Sequence, residues 1–552
     1  MSSVESEARL ASAEEARLAP AEGAGPRAEP RARLGFAGAV AVGAALAAGE
    51  LLAGFFGVPS PLLAIARFIV DIQPPGAKDL VVALFGEADK IAFQVFIILV
   101  ALGIGAVLGR VAPKRPNVAT IVIAGFAGAG FAAALPDPNN IPTLSAAVAA
   151  VGAVVGITVL RRLVRVALAG TTAQPPGATT VAAPSPGATS AAAPDWARRS
   201  LLQAGGAIAV GSVVAGSVGR LLLERQRSPA TPADIPSVPL PITLPPGADI
   251  ATRDLVAGGL SPIVVPTADF YRIDTAFIPP TVERDTWRLK VTGLVDREIE
   301  LTYEELAALP VVEQYVTIAC VSNNVGGDLV GNAKWTGVPL RTVLDLAGVQ
   351  ANADQLVGKS VDGFTAGMPV EWVMDESRVP MIAVGMNGEP LPRVHGYPAR
   401  LIIPGLYGYV SATKWLTELQ LTRFDQFQGY WVPLGWAARA PILTQSRIDV
   451  PRVGAPLTAG TIPVAGVAWA PDRGIQRVEV KIDDADWVAA RLSAPISAAT
   501  WVQWLYLWDA APGTHQITVR AVDGAGEVQT DARSNPAPDG ARGHHSVRVS
   551  VG

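Results

Sequence analysis

What most constrains this chain is a series of long apolar runs in its first 223 residues: Leu34–Gly57, Ile91–Leu108, Val118–Leu135, Leu144–Leu160 and Leu201–Leu223. Each is long enough to cross the hydrocarbon core of a bilayer as a helix. Inside lipid no water satisfies the backbone N–H and C=O groups, so a single crossing segment must make its own hydrogen bonds as an α-helix. An α-helical transmembrane bundle is therefore expected, with four spans over 34–165 and a fifth helix over 198–224. Half of all residues are hydrophobic, in keeping with that reading.

Charge gives the direction. Arg27, Arg31 and Arg33 precede the first run, Arg110, Lys114 and Arg115 follow the second, and Arg161, Arg162 and Arg165 follow the fourth, while the loop at 136–140 reads PDPNN. Basic loops stay inside, which puts the N-terminus in the cytoplasm and everything after the fifth run outside the membrane. Arg198-Arg199-Ser200-Leu201-Leu202 opens that fifth run and resembles a twin-arginine export signal, although a basic inner flank would place arginines there equally. No small-residue cleavage site follows Leu223, so the helix is expected to remain as an anchor.

Between and around the runs, composition marks the connections. Residues 1–33, rich in Ala, Glu, Arg and Pro, read as a disordered tail, and 59–86 as an interfacial or partly re-entrant loop. Residues 166–197, with PPGATT and SPGATS, form a flexible linker, and 225–249 a stiff Pro-rich spacer. Gly103 and Gly105 in the second run and Gly125, Gly128 and Gly130 in the third allow close helix packing. A quinone pocket among those helices is the alternative reading.

From about residue 250 the pattern becomes that of a soluble protein. Short strands such as Trp287–Val291, and helices near Tyr303–Ala308 and Leu340–Gly348, lack regular βαβ alternation and argue an α+β domain over 250–440. From 441 to 552 the chain is a succession of alternating runs (IPVAGVAWA, IQRVEVKIDD, WVAARLS, TWVQWLYLW, THQITVRAVD, HSVRVSV) between turn residues. That is the pattern of an all-β immunoglobulin-like sandwich.

The candidate chemistry centres on Cys320, the only cysteine in 552 residues. Val316–Ala319 read as a short buried strand, and Ser322, Asn323, Asn324, Gly326 and Gly327 force a loop after it, so the thiol sits at a strand end. A thiolate there is a soft donor for a transition metal; a small buried hydrophobe is the alternative. One cysteine permits no intrachain disulfide. A net charge of −4 with no basic footprint argues against nucleic acid as a partner. The four histidines, His395, His515, His544 and His545, all lie beyond the apolar half, and after Met1 the next methionine is Met368. Axial haem ligands are thus missing from the apolar runs, and no haem, flavin or iron-sulfur cluster is expected in this chain.

Three separated stretches then stand in order: FYR at Phe270–Arg272, ACVSNN at Ala319–Asn324, and HGYPARLIIPGLYGYVSATKWL at His395–Leu416. Together they resemble the molybdopterin-binding domain of the sulfite oxidase family, over roughly Ala268–Gly552. The resemblance implies molybdenum bound, and catalysis centred, at the Cys320 thiolate. It implies a cofactor held by Tyr271, Arg272, Ser360, His395, Arg400, Ala412, Thr413 and Lys414. The C-terminal domain is similar to the one through which relatives dimerise, implying a homodimer through 441–552; packing of the two domains within one chain would give the same pattern. Sulfite oxidases place an arginine shortly after the metal-binding cysteine, where this chain has VSNNVGG and no cation before Lys334. Phe364 falls where they keep a tyrosine, and Ile273 where they keep an arginine, so a small neutral substrate is expected in place of sulfite. The expectation is a membrane-anchored molybdopterin enzyme transferring an oxygen atom at an extracytoplasmic centre, with an external quinone or redox protein carrying electrons. A sulfoxide or N-oxide reductase is the alternative within the family, and a receptor-like module with a vestigial cofactor site the alternative outside it.

Overall fold

A computed structural model describes residues 28–72, 89–137, 140–172, 196–226, 255–276 and 279–552. Of the expected tail (1–33), linker (166–197), spacer (225–249) and loop (59–86), residues 1–27, 173–195, 227–249 and 73–86 lie outside the described residues, whereas 28–33, 166–172, 196–197 and 225–226 are helical, continuing the apolar helices beside them. The chain divides into two compact units, one helical and one built mainly of strands.

The apolar half forms helices α1 (Ala28–Phe56), α2 (Pro61–Ile72), α3 (Asp89–Val111), α4 (Pro116–Ala134), α5 (Pro142–Thr172) and α6 (Trp196–Gln226). Five of them, all but α2, are long and apolar enough to cross a membrane. The loop expected from residue 59 gives way to helix over 61–72. Ser60 Oγ accepts the Leu63 amide at 3.3 Å and Pro61 opens the helix, two devices that start a helix whatever side chains come later in it. Helix α5 runs past its expected end at Leu160, because Arg161, Arg162 and Arg165 are good helix formers whose charge ends the apolar run without ending the helix.

Close packing falls on α1. A Cβ at Gly38 would strike the Gly105 carbonyl and Gly109 amide of α3, and one at Gly54 the Gly219 backbone of α6. Gly105 and Gly109 are four residues apart, the small-residue spacing that lets two helix backbones touch. Gly103, Gly125 and Gly128, expected to do the same, have nothing within 4 Å, while Gly130 faces Pro61 at 3.1 Å.

The second unit begins with β1 (Arg288–Gly293), β2 (Ile299–Thr302), α7 (Tyr303–Ala307), β3 (Val312–Ala319), β4 (Val330–Pro339), α8 (Leu340–Ala347), β5 (Gln355–Ser360) and β6 (Thr365–Pro369). It continues with α9 (Val370–Val373), β7 (Met381–Met386), β8 (Glu389–Pro390), β9 (Arg400–Ile402), α10 (Gly408–Ser411) and β10 (Leu416–Thr422). One sheet runs β2-β1-β10-β5-β6; the other runs β3-β4-β7-β8, with β9 paired to β7. The pairings are antiparallel except for β1 with β10. The helices are short, none exceeding the eight residues of α8, so the domain is richer in strand than an α+β reading suggests. Helix α7 carries a full capping box, Thr302 Oγ1 accepting the Glu305 amide and the Glu305 carboxylate accepting the Thr302 amide. The expected strand over 316–319 is the buried half of β3, whose partner β4 is buried on both faces.

The C-terminal strands are β11 (Gln445–Val450), β12 (Pro456–Leu457), β13 (Gly460–Trp469), β14 (Ile475–Ile482), β15 (Val488–Ala489), β16 (Arg491–Leu492), β17 (Val502–Ala510), β18 (Gly513–Asp523) and β19 (His545–Val551). They make two sheets, β11-β13-β17-β16 and β12-β19-β18-β14-β15. Val464, Ala468 and Trp504 of the first share a core with Val480, Ile517, Val519 and Val547 of the second. Strand β11 has no counterpart in the sequence reading: Gln445, Ser446 and Arg447 are polar, yet all three are buried.

Candidate active site

Strands β3 and β4 form a hairpin in register through Ala319 and Val330, and the Cys320 amide donates to the Leu329 carbonyl at 2.9 Å. Pairing ends there, which leaves the Cys320 side chain at the open end of the hairpin, 8% exposed. It lines a cavity of about 710 Å³, mouth included. Of the nine residues expected at the site, Tyr271, Cys320, Ser360, Arg400, Ala412 and Lys414 line this cavity; Arg272, His395 and Thr413 do not.

Arg400 opens β9 and is 2% exposed. Its Nη1 donates to the His395 carbonyl at 3.0 Å, its Nη2 to the Ala412 carbonyl at 3.4 Å, and the guanidinium lies over the Trp335 ring at 4.9 Å. Its Nε is buried without a hydrogen-bond partner, and among the described residues no carboxylate pairs with it within 4 Å. Burial pushes its pKa down to about 10, so it remains a cation at neutral pH. A buried charge without a counter-ion is costly, and an orphaned donor adds to that cost. Both costs are relieved when an anion enters the cavity.

Lys414 is balanced from within the chain. Its Nζ donates to Asp274 Oδ2 at 3.2 Å, and the Arg272 Nε reaches the same oxygen at 3.3 Å. Arg272 thus neutralises a buried carboxylate beside the site and does not face the cavity. His395 lies beneath, 3% exposed, edge-on to Phe270 with ring centroids 5.9 Å apart. Burial, with Arg400 and Lys414 nearby, holds its pKa down to about 4, so the ring is neutral. Its Nε2 lies 3.1 Å from the Thr267 carbonyl, which can only accept, so the proton sits on Nε2. Thr413 is fully buried; its carbonyl accepts the Leu401 amide at 2.9 Å, so its part is to hold β9 in place. Gly396, at φ +113°, brings the backbone against Lys414 and Arg400 in a conformation that L side chains rarely adopt.

Sequence reasoning missed Asp274, Asp362, Tyr409 and Trp431 on the cavity wall. Asp274 follows the FYR stretch by two residues and Tyr409 lies within the His395–Leu416 stretch, so position alone could have raised both. Nothing local marks Trp431. Burial, with Cys320 beside it, drives the Tyr271 phenol far above its usual pKa, so the hydroxyl keeps its proton and serves the cavity as a hydrogen-bond donor. Among the described residues no group of three or more His, Cys, Asp or Glu could hold a metal alone. A metal at Cys320 therefore needs an organic partner to complete its coordination, and the uncompensated Arg400 suits an anionic one.

Residues 276–431 match the model of the oxidoreductase molybdopterin binding domain, a stretch that includes Cys320 through Lys414 and stops short of Tyr271 and Arg272. Human mitochondrial sulfite oxidase is 28% identical over 299 residues, 46% of this chain and 55% of that protein. An uncharacterized oxidoreductase of Bacillus subtilis, YuiH, is 32% identical over 173 residues, which span 31% of this chain and 83% of the relative. The chain belongs to the sulfite oxidase family of molybdopterin oxidoreductases. It spans about half the length of the mammalian sulfite oxidases it matches. Among solved structures, the sulfane dehydrogenase SoxCD of Paracoccus pantotrophus is similar with a TM-score of 0.47 and 24% identity, covering 54% of this chain and 82% of that one.

Proposed function

We propose that this member of the sulfite oxidase family is a membrane-anchored molybdenum enzyme, with the metal bound by the Cys320 thiolate and the anionic part of the pterin held at Arg400. The observation that carries the reading is one cavity shared by the sole thiol and a buried guanidinium with an unused Nε. When bound, the molybdenum cofactor supplies oxygen-atom transfer and the two-electron change that goes with it. The chain's own residues hold and orient. Arg400 offers a planar fork suited to a phosphate, and Lys414, Ser360 and the Ala412 backbone complete the polar wall. His395 and Thr413 act one layer back: His395 accepts the Arg400 Nη1 at its carbonyl, and Thr413 pairs with β9. The Tyr271 hydroxyl, kept protonated by burial, is the donor for a substrate oxygen. Ile273, Phe364 and Trp431 give the rest of the wall an apolar character, and Asp274 already pairs with Lys414, the other cation on it. A small neutral molecule fits that lining better than sulfite, and a sulfoxide or N-oxide, whose oxygen accepts a hydrogen bond, fits it well.

The five apolar helices support a multi-pass membrane location, and the basic loops support a cytoplasmic N-terminus with the catalytic domain outside. On that arrangement the twin-arginine-like stretch serves export of a domain folded around its cofactor, and electrons pass to or from a quinone or a separate redox protein. The two C-terminal sheets are read as an immunoglobulin-like module that joins two copies. Metal and pterin analysis of the purified protein tests the proposal. One molybdenum and one pterin per chain are expected, with Cys320→Ser losing turnover and the molybdenum EPR signal but not the fold. A metal-free, pterin-free wild-type protein that still turns over, or a fully active Cys320→Ser, would sink it.

A further inference from the structure

The loop that carries Cys320 is fastened from outside its own domain. Within the loop, Asn323 donates its amide to the Cys320 carbonyl at 3.1 Å and accepts the Leu329 amide on its side chain at 3.0 Å, while Gly327 bonds back to Asn324 at 2.8 Å. These bonds shape the turn but do not anchor it to anything. The anchor comes from β11, the polar strand that the sequence hides. Arg447 donates through Nη1 to the Gly327 carbonyl at 2.9 Å, through Nη2 to Ser261 Oγ at 2.9 Å, and through Nε to Asp449 at 2.6 Å. Asp449 in turn accepts the Ser261 amide at 3.0 Å, so all three arms of a buried fork are engaged and none is free to swing. The second hold is His545 of β19. Its ring lies on Gly326, at φ +80°, where an added Cβ would run into the imidazole. Its Nδ1 accepts the Ile448 amide at 3.0 Å, which fixes the ring plane and puts the proton on Nε2. Burial, with Arg447 close by, keeps this ring neutral, so it adds no charge against the guanidinium.

We propose that Arg447 and His545 of the C-terminal domain are positioning residues for Cys320, holding the loop in the one conformation that presents the sulfur to the cavity. The proposal rests on Cys320 being the metal ligand, and it gives residues 441–552 a task at the active centre in addition to any part in dimerisation. It also accounts for the burial of an arginine, Arg447, in β11. A buried fork is worth keeping where the geometry of its acceptor matters.

Because Cys320 is the only thiol, a thiol reagent applied to the cofactor-free full-length chain reads the loop alone. The Arg447→Met/Asp449→Asn double variant removes the clamp while keeping buried charge in balance, and His545→Ala removes the other hold. The first is expected to raise the Cys320 labelling rate about ten-fold or more, the factor that loss of a charge-assisted hydrogen bond brings to a local opening equilibrium, and the second by a smaller factor, since it removes a packing contact. Arg447→Lys, which keeps a cation with a single point of attachment, should fall between. In protein loaded with cofactor, the same variants should broaden the molybdenum EPR signal and retain less metal after gel filtration. If the double variant does not fold, Gly326→Ala perturbs the same contact from the loop side and should give the same rise. Labelling within two-fold of wild type in every folded variant would overturn the proposal. Wild-type protein without molybdenum but with the expected labelling response would instead fault the metal reading and leave the positioning intact.

Discussion

Arg400 is an ion that the apo protein does not need. Its burial without a carboxylate partner among the described residues costs stability, and its two carbonyl partners and the Trp335 ring return only part of that cost. Arg400→Met should therefore leave the melting temperature of the cofactor-free chain unchanged or raised, while bound pterin, read by fluorescence after acid release, falls about ten-fold or more. A merely structural arginine would show the reverse. Acid sensitivity belongs to the same scale. His395 and His545 are both held near pKa 4 in the fold against 6.5 as free side chains. Between those values the unfolded chain binds protons that the folded chain refuses, so stability is complete above about pH 6.5 and falls as pH drops toward 4, by at most about 1.4 kcal/mol per unit for each ring. Urea titrations at pH 7 and pH 5 should show that loss, and His395→Asn should make it smaller. His395 was expected at the site because it stands in a matched motif; its place as a neutral ring beneath Arg400, off the cavity wall, was not legible, because it depends on what surrounds the ring.

At the scale of elements, apolar length was enough to find the spans, since a run of that length in lipid has one way to satisfy its backbone. Which faces of those helices touch was hidden, because Gly109 and Gly125 look alike in sequence while one meets the Leu34 carbonyl and the other meets nothing within 4 Å. Gly109→Leu should force α1 and α3 apart and lower the melting temperature in detergent by many degrees. Gly125→Ala should be neutral or stabilising by up to about 1 kcal/mol, the gain in helix propensity. A similar drop for both would refute the crossing. The capping box of α7 gives a smaller test in the soluble part: Thr302→Ala should cost about 1 kcal/mol in chemical denaturation, since Thr302 is half of a reciprocal pair. Most strands declared themselves by alternation. Strand β11 did not, because three of its buried residues are polar: Gln445 and Ser446 bond to Ala541 and Gln529 of their own domain, and Arg447 reaches across to Gly327.

At the scale of the whole molecule, the chain should stay with the membrane fraction through alkaline carbonate washing, as a five-span protein does and a peripheral one does not. An alkaline phosphatase fused after Gly552 should be active, whereas a cytoplasmic C-terminus would leave it inactive and reverse the proposed orientation. The sequence by itself determined the apolar helices, the order of an α-helical half before a strand-rich one, and the family, because length, alternation and short motifs are local properties of a chain. Only the tertiary structure decided that Arg272 serves Asp274 and not the cavity, that Arg400 has no carboxylate partner among the described residues, and that a strand of the last domain grips the Cys320 loop. Those are matters of distance and burial among residues as far apart as Gly327 and Arg447, 120 positions in the chain, and electrostatic cost depends on surroundings that no local pattern encodes.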